Sequence, residues 1–176
     1  NHLSSEDIDQ NNAFYALLVS LLISGVWLVY VVRLDIFDKE KKRHIALVLI
    51  LSIILTSFAS YPYQIIHYLG FTDSLNPFKS FLYCVFGIGL IEETIKLIPL
   101  LIVLKFTNAI DEPYDYILYA SASALGFAFV ENAMYLDSYG LEIINARALY
   151  ATVAHMTFSS MIGYGLFLGK FKHTKF

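Results

Sequence analysis

The sequence predicts an all-α protein, a polytopic membrane helical bundle with about five transmembrane helices, and three observations lead to that prediction. Hydrophobic residues make up 57% of the 176 residues and charged residues 15%, and the mean hydropathy is +0.60. The apolar residues are gathered into runs of about 20, enough for a helix to cross a hydrocarbon core roughly 30 Å thick. Short charged or turn-forming clusters separate the runs, so the apolar excess does not form one soluble core.

The five runs belong to a single transmembrane domain over residues 1–176. The first run is too long for the apolar part of a signal peptide and lacks a following cleavage site, so we expect a retained helix. The second and third exceed the required length, which predicts tilt, protruding ends or a break, at Pro62 in the second and Pro99 in the third. Because the chain begins at Asn1 rather than Met, we expect trimmed ends. The predicted spans are 13–32, 45–69, 78–104, 114–136 and 146–168.

The charged loops predict the orientation. Residues 33–44 hold five of the twelve basic residues, which places this loop in the cytoplasm by the positive-inside rule. The acidic residues 6–9 then fall outside and the basic tail 170–175 falls inside, so an N-terminus outside and a cytoplasmic C-terminus agree with an odd number of spans. The lipid bilayer is the expected partner, and no nucleic-acid partner is expected.

Small residues and the single cysteine bear on packing. Cys84 has no intrachain disulfide partner and is expected to be a small buried hydrophobe. Small residues recur at four-residue spacing on the fourth and fifth spans, which predicts a close approach of their backbones. These residues are Ala120, Ala124, Ala128, Ser159 and Gly163.

Glu92, Glu93 and Lys96 interrupt the third apolar run near its middle. An ionised side chain at the centre of a membrane helix costs roughly 2.5 to 3.5 kcal/mol even on lenient scales, so such residues need partners or water. Glu92 and Lys96 are four apart in the favourable order for an ion pair, while Glu93 is turned about 100° away. The structural alternative is a buried charge cluster that only holds helices together.

Two later spans add further polar groups. If the fourth helix ends near Leu136, Glu131 lies about 7 to 8 Å below that end, and snorkelling to the interface is an alternative. Asn132 by itself more often joins helices than takes part in chemistry. His155 in the fifth span would alone more often be a packing residue, but an imidazole near glutamates can move protons or bind a divalent metal.

The polar residues of the third, fourth and fifth spans can meet in the outer half of the membrane, because the third and fifth spans run in the same direction and the fourth runs back. Carboxylates and an imidazole in one wet cavity could activate water by general-base catalysis. The same groups also fit a proton-coupled transporter or channel, although no inverted repeat is present. A third alternative is a non-catalytic membrane binding or immunity protein that keeps the polar cluster for folding.

Four motifs follow one another over residues 87–165. They are EETIK at 92–96, DEPYD at 111–115, GFAFVEN at 126–132, and a last helix with Arg147 and His155 followed by Phe158, Ser159 and Gly163. In order and spacing they resemble the PrsW family of membrane-embedded proteases, a distant relative of the CAAX-processing and bacteriocin-immunity membrane proteases. The resemblance implies an intramembrane endopeptidase of the bacterial cell (inner) membrane that cleaves a single-span membrane protein, such as an anti-sigma factor.

The resemblance also implies roles for individual residues. Glu93 would be the water-activating acid or a metal ligand with His155 as its partner, and Glu131 a third acid that orients water or binds metal. Asn132 would donate to the carbonyl oxygen that becomes negative during attack. The implied catalytic residues are Glu92, Glu93, His155, Glu131 and Asn132; the supporting residues are Lys96, which tunes Glu92, Arg147 and Ser159.

A metal cofactor, zinc or another divalent ion, is implied at Glu93, Glu131 and His155. Members of the family commonly carry a further histidine on another helix after this point. We expect that a truncated chain accounts for the missing helix.

Overall fold

The computed structural model describes residues 5–36 and 38–171. It is 85% helical, and no strand occurs in these two ranges, which confirms the predicted all-α class. Seven α-helices follow one another: α1 (Ser5–Leu34), α2 (Lys42–Ser57), α3 (Ser60–Tyr68), α4 (Pro77–Leu82), α5 (Leu90–Phe106), α6 (Pro113–Tyr139) and α7 (Thr152–Phe171). Two π-helical segments, Tyr83–Gly89 and Ala146–Ala151, and a 3-10 turn, Leu141–Ile143, lie between them.

Among the described residues, two helices are long and apolar enough to cross a membrane by themselves, namely Asn12–Leu34 and Pro113–Tyr139. A third crossing follows if α2 and α3, which are bent by 41°, count as one broken span. The five predicted spans and their orientation therefore stay predictions. Residues 172–175 of the basic tail lie outside the described part of the chain.

The two prolines that were expected to interrupt spans behave differently. The break between α2 and α3 falls at Phe58 and Ala59, three residues before Pro62, which occupies the first turn of α3. A proline is tolerated there because the first turn has no intrahelical partner for its missing N–H. In contrast, α5 continues through the buried Pro99. The irregularity in the third predicted span is instead the π-helical segment Tyr83–Gly89.

Helix α6 lies at the centre of the fold. Its most apolar stretch is 67% buried, against 28% for that of α1, and it packs against α7, α1, α2 and α5. The predicted close approach of α6 and α7 is confirmed at Gly163, where an added Cβ would lie 2.4 Å from the Tyr116 carbonyl oxygen and 3.0 Å from Ala120 Cβ. Small residues thus let two backbones come together, as in other membrane bundles.

Replacing Gly163 by alanine should destabilise the bundle. The new methyl group would overlap the α6 backbone at Tyr116, so the helices must move apart, at a cost of about 1 to 3 kcal/mol. Thermal unfolding in detergent should show a lower midpoint for Gly163→Ala. Gly165→Ala is the matched control, because nothing lies within 4 Å of a Cβ at Gly165. Equal midpoints for the two variants would contradict the close contact.

Candidate active site

Three helices bring Glu92, Glu131 and His155 to one place. Each residue offers a ligand atom, and these atoms all lie within 4.8 Å of one another. His155 Nε2 is 2.8 Å from Glu131 Oε2, and His155 Nδ1 is 4.0 Å from Glu92 Oε2. All three side chains are largely buried but keep some exposure. The polar layers predicted on α5, α6 and α7 therefore do meet.

Lys96 links this group to Glu93. Its side chain is only 1% exposed, and Nζ lies 2.5 Å from Glu93 Oε1, 3.2 Å from His155 Nδ1 and 3.9 Å from Glu92 Oε2. The closest ion pair of Lys96 is thus with Glu93, and the predicted partner Glu92 is the more distant one. Residues three apart also share a helix face, so sequence spacing could not decide between the two glutamates.

The other contacts of the two glutamates account for this arrangement. Ser159 on α7 donates to Glu93 Oε2 at 3.2 Å, which holds Glu93 toward Lys96. Glu92 turns the other way, where the Tyr63 hydroxyl donates to Oε1 at 3.4 Å. The sequence predicted that Glu93 would lie together with Glu131 and His155. In the structure, the glutamate whose possible ligand atom lies close to those of Glu131 and His155 is Glu92.

Hydrogen bonding fixes the tautomer of His155. An ammonium group only donates, so His155 Nδ1 accepts from Lys96 and the ring hydrogen is on Nε2. Nε2 then donates to Glu131. The Phe127 ring lies beside both side chains, 5.1 Å from the imidazole centroid and 4.7 Å from Lys96 Nζ. The imidazole is therefore contacted at both nitrogens and by the tilted ring of Phe127.

Glu131 is held from its other side by Arg147, which forms a close ion pair with Oε2. Arg147 Nε also donates to Asn132 Oδ1 at 2.8 Å, and Asn132 Nδ2 donates to Thr152 Oγ1 at 3.0 Å. Asn132 is fully buried and both ends of its amide are engaged. Asn132 is absent from the cavity wall, where a donor to the oxyanion of the substrate would have to lie.

Glu131 also lies farther from the end of its helix than the sequence predicted. The expected end of the fourth span was Leu136, but α6 continues to Tyr139, so Glu131 is eight residues, about 12 Å, from the helix end. Its carboxylate is directed to Arg147 and His155 on the following segments. These contacts do not favour the snorkelling alternative.

A π-helical segment directly precedes two of the three contributing helices. Tyr83–Gly89 ends three residues before Glu92, and Ala146–Ala151 contains Arg147 and ends at the start of α7. A π-turn carries an extra residue, so it changes the direction in which every later side chain on that helix points. Such segments are frequent at functional sites. Neither segment was predicted from the sequence.

The polar group forms part of the wall of a cavity of about 780 Å³. Most of the wall is apolar, and the ionisable side chains on it are Glu92, Glu93, Glu131, Arg147 and His155. Cys84 is exposed and lines this cavity as well, so its predicted burial was wrong. The apolar residues of the wall include Val85, Phe86, Leu90, Phe158, Met161 and Ile162.

Three residues of the site were missed from the sequence. Phe127 precedes Glu131 by four residues, so its place on the same face of α6 was a usable signal. Tyr63 carries no such signal, because it comes from the short helix α3 and reaches Glu92 only through tertiary packing. Ser123 is a third contributor, since it donates to the backbone carbonyl of Lys96 at 2.6 Å and ties α6 to α5.

The donor set fits a divalent metal. Glu92, Glu131 and His155 offer two carboxylates and one imidazole, which are the ligand types found in catalytic zinc sites. The lone pair of His155 is on Nδ1, which now accepts from Lys96, so a metal at this nitrogen would replace the Lys96 hydrogen bond. The geometry does not select one metal over another.

Comparison with known proteins gives the family. Residues 40–176 match the profile of the PrsW family intramembrane metalloproteases. The chain belongs to this family. Protease PrsW of Oceanobacillus iheyensis is 31% identical over 160 residues, which cover 90% of this chain and 73% of the relative. Family membership identifies a membrane protease.

Other relatives agree with that assignment. Protease PrsW of Bacillus subtilis is 28% identical over 157 residues, or 89% of this chain and 69% of that protein. Protease PrsW of Geobacillus kaustophilus is 38% identical over 84 residues, but these cover only 48% of this chain and 36% of the relative. No solved structure gives a significant match.

Proposed function

We propose that this PrsW family member cleaves a peptide bond of a single-span membrane protein, such as an anti-sigma factor, inside the bilayer. The observation that carries the proposal is the convergence of Glu92, Glu131 and His155 on the wall of a largely apolar cavity. Water-activating groups are needed for hydrolysis, and an apolar wall suits a substrate segment that comes from the membrane.

Glu93 is the residue we assign to the attacking water. Its side chain is 26% exposed, against 15% for Glu92, and it lines the cavity. Lys96 donates a hydrogen bond to one carboxylate oxygen of Glu93 and Ser159 donates to the other, so these two contacts fix the orientation of the carboxylate. In the proposed step, Glu93 takes a proton from water as the oxygen attacks the carbonyl carbon, and later gives it to the leaving nitrogen.

Glu92, Glu131 and His155 are the residues we assign to a divalent metal, zinc or another ion of similar preference. When bound, such a metal supplies Lewis-acid polarisation of a carbonyl oxygen. Arg147 and Asn132 are positioning residues in this proposal, because Arg147 pairs with Glu131 and Asn132 accepts a hydrogen bond from Arg147. Tyr63 positions Glu92 in the same way.

A cleavage assay tests the proposal directly. The chain is co-expressed with a panel of tagged single-span bacterial membrane proteins, and wild type is compared with Glu93→Gln by immunoblotting. Loss of a general base typically lowers a rate by about 10²- to 10⁴-fold, so the variant should leave its substrate intact at equal abundance. Glu112→Gln is the control, because Glu112 lies outside the cavity wall. Equal cleavage by Glu93→Gln and wild type would contradict the assigned role.

We also propose that five segments of one domain cross the membrane, in a multi-pass inner-membrane protein with its N-terminus outside. Residues 77–106 are helical without interruption through α4, a π-helical segment and α5, and they are long enough for the third crossing. The second crossing is the bent pair α2 and α3. The site then lies in the outer half of the bilayer.

Cysteine labelling of intact cells tests this topology. In a Cys84→Ser background, Thr72→Cys in the loop before α4 should react with a membrane-impermeant maleimide, because that loop is predicted to be outside. Lys39→Cys in the loop after α1 should react only after the cells are permeabilised. Both native residues are exposed in the structure. Labelling of Lys39→Cys in intact cells would reverse the proposed orientation.

A further inference from the structure

A second acidic group lies far from the candidate active site. It consists of Glu40 in the loop after α1, Asp111 before α6 and Asp115 in the first turn of α6. Each offers one carboxylate oxygen, and these three oxygens all lie within 4.8 Å of one another. Asp115 and Glu131 are sixteen residues apart on α6, about 24 Å along the helix. The two groups are therefore at different levels of the bundle.

One oxygen of the buried Asp115 has no partner. The side chain is 1% exposed. Its Oδ2 accepts from the backbone N–H groups of Asp111 and Glu112, at 3.0 and 2.6 Å, and so caps α6. Its Oδ1 is buried without a hydrogen bond to any described residue. Buried polar atoms nearly always have a partner, and one that does not needs an explanation such as a bound ion.

The hydrogen bonds that the three carboxylates accept do not neutralise their negative charge. Glu40 accepts from the Tyr119 hydroxyl, which is a neutral donor. Within the described residues, no lysine or arginine forms an ion pair with any of the three carboxylates. Lys39, Lys41 and Arg43 line a cavity of about 430 Å³ together with Glu40 and Asp111, but their ammonium and guanidinium groups form no ion pair with these acids. Three carboxylates so close together repel one another unless a cation or a shared proton intervenes.

We propose that Glu40, Asp111 and Asp115 bind a divalent cation, Ca²⁺ or Mg²⁺. A set of oxygen donors alone suits these hard cations, and the buried Oδ1 of Asp115 is an acceptor that no described residue uses. The ion links the loop after α1 to the start of α6, two segments that are distant in sequence. This site is independent of the metal assigned to Glu92, Glu131 and His155, because it shares no residue with that group.

Thermal unfolding of the purified full chain in detergent, first stripped with EDTA, tests the site. Addition of Ca²⁺ or Mg²⁺ should raise the midpoint of the wild type, because a ligand that binds only the folded state stabilises it. Glu40→Gln and Asp111→Asn should each lose this shift. Asp38→Asn should keep it, because Asp38 is an exposed acid of the same loop outside the group. His155→Ala should also keep it, since the second group is intact there.

The outcomes that overturn the site are equally definite. A wild-type midpoint that is unchanged by both cations excludes it and leaves a shared proton as the explanation of the cluster. A shift that persists in both Glu40→Gln and Asp111→Asn places the bound cation elsewhere. If Glu40→Gln does not fold, the exposed Asp111 still gives a test. A shift lost in His155→Ala but kept in Asp111→Asn would assign the effect to the candidate active site.

Discussion

Replacing His155 by alanine should abolish substrate cleavage and remove tightly bound divalent metal from the purified protein. The imidazole contacts Glu131 through Nε2 and Lys96 through Nδ1. Its loss therefore removes a candidate metal ligand and the connection between Glu131 and Lys96. Loss of a group that acts only in the reaction typically lowers the rate by at least about a hundredfold. Cleavage is measured by immunoblotting at matched abundance, and metal content by mass spectrometry.

His67→Ala is the matched control for this experiment. His67 is an exposed histidine near the end of α3, outside the cavity wall. The control should keep both cleavage and metal content. Wild-type cleavage by His155→Ala would remove the imidazole from the proposed mechanism. Lost cleavage with full metal content would instead separate the two roles and leave His155 as a proton-transfer residue.

The second large effect is expected at Lys96, where methionine should lower both stability and activity. The lysine is buried, and its ammonium group is the only cation that contacts Glu93 in the described structure. Removal of one partner from a buried ion pair typically costs about 3 to 5 kcal/mol, because the other charge is left without compensation. Thermal unfolding in detergent and the cleavage assay should both report a loss.

A double variant separates the two effects of Lys96. Lys96→Met with Glu93→Gln removes both charges, so much of the lost stability should return. Activity should not return, because the proposed base is absent. If the double variant is no more stable than Lys96→Met, the pair does not carry the stability. A fully active Lys96→Met would mean that Glu93 needs no paired cation for its role in cleavage.

Much of the fold and the location of the site could be predicted from the sequence. Charge inside an apolar run is expensive, so Glu92, Glu93, Lys96, Glu131 and His155 stand out without any coordinates. Their meeting on α5, α6 and α7 followed from the alternating direction of successive spans. Small residues such as Ala120 and Gly163 likewise marked a close helix contact that the structure contains.

The pairing within the site could not be predicted in this way. Lys96 lies three residues from Glu93 and four from Glu92, and either glutamate is within reach on an isolated helix. The choice depends on Ser159 and Tyr63, which arrive from α7 and α3 and hold the glutamates in different directions. Contacts between helices depend on ångström-scale packing, which sequence spacing does not record.

The sequence by itself thus determined the helical class, the membrane setting and the set of ionisable residues, because these follow from apolar length and from the cost of burying charge. The tertiary structure decided which partner each of these side chains has. It pairs Lys96 most closely with Glu93, places Glu92 beside Glu131 and His155, and engages both ends of the Asn132 amide. The physical reason is that contacts between helices select these partners. The two π-helical segments before α5 and α7 and the break before α3 set the direction of the side chains on those helices, and no local pattern encodes them.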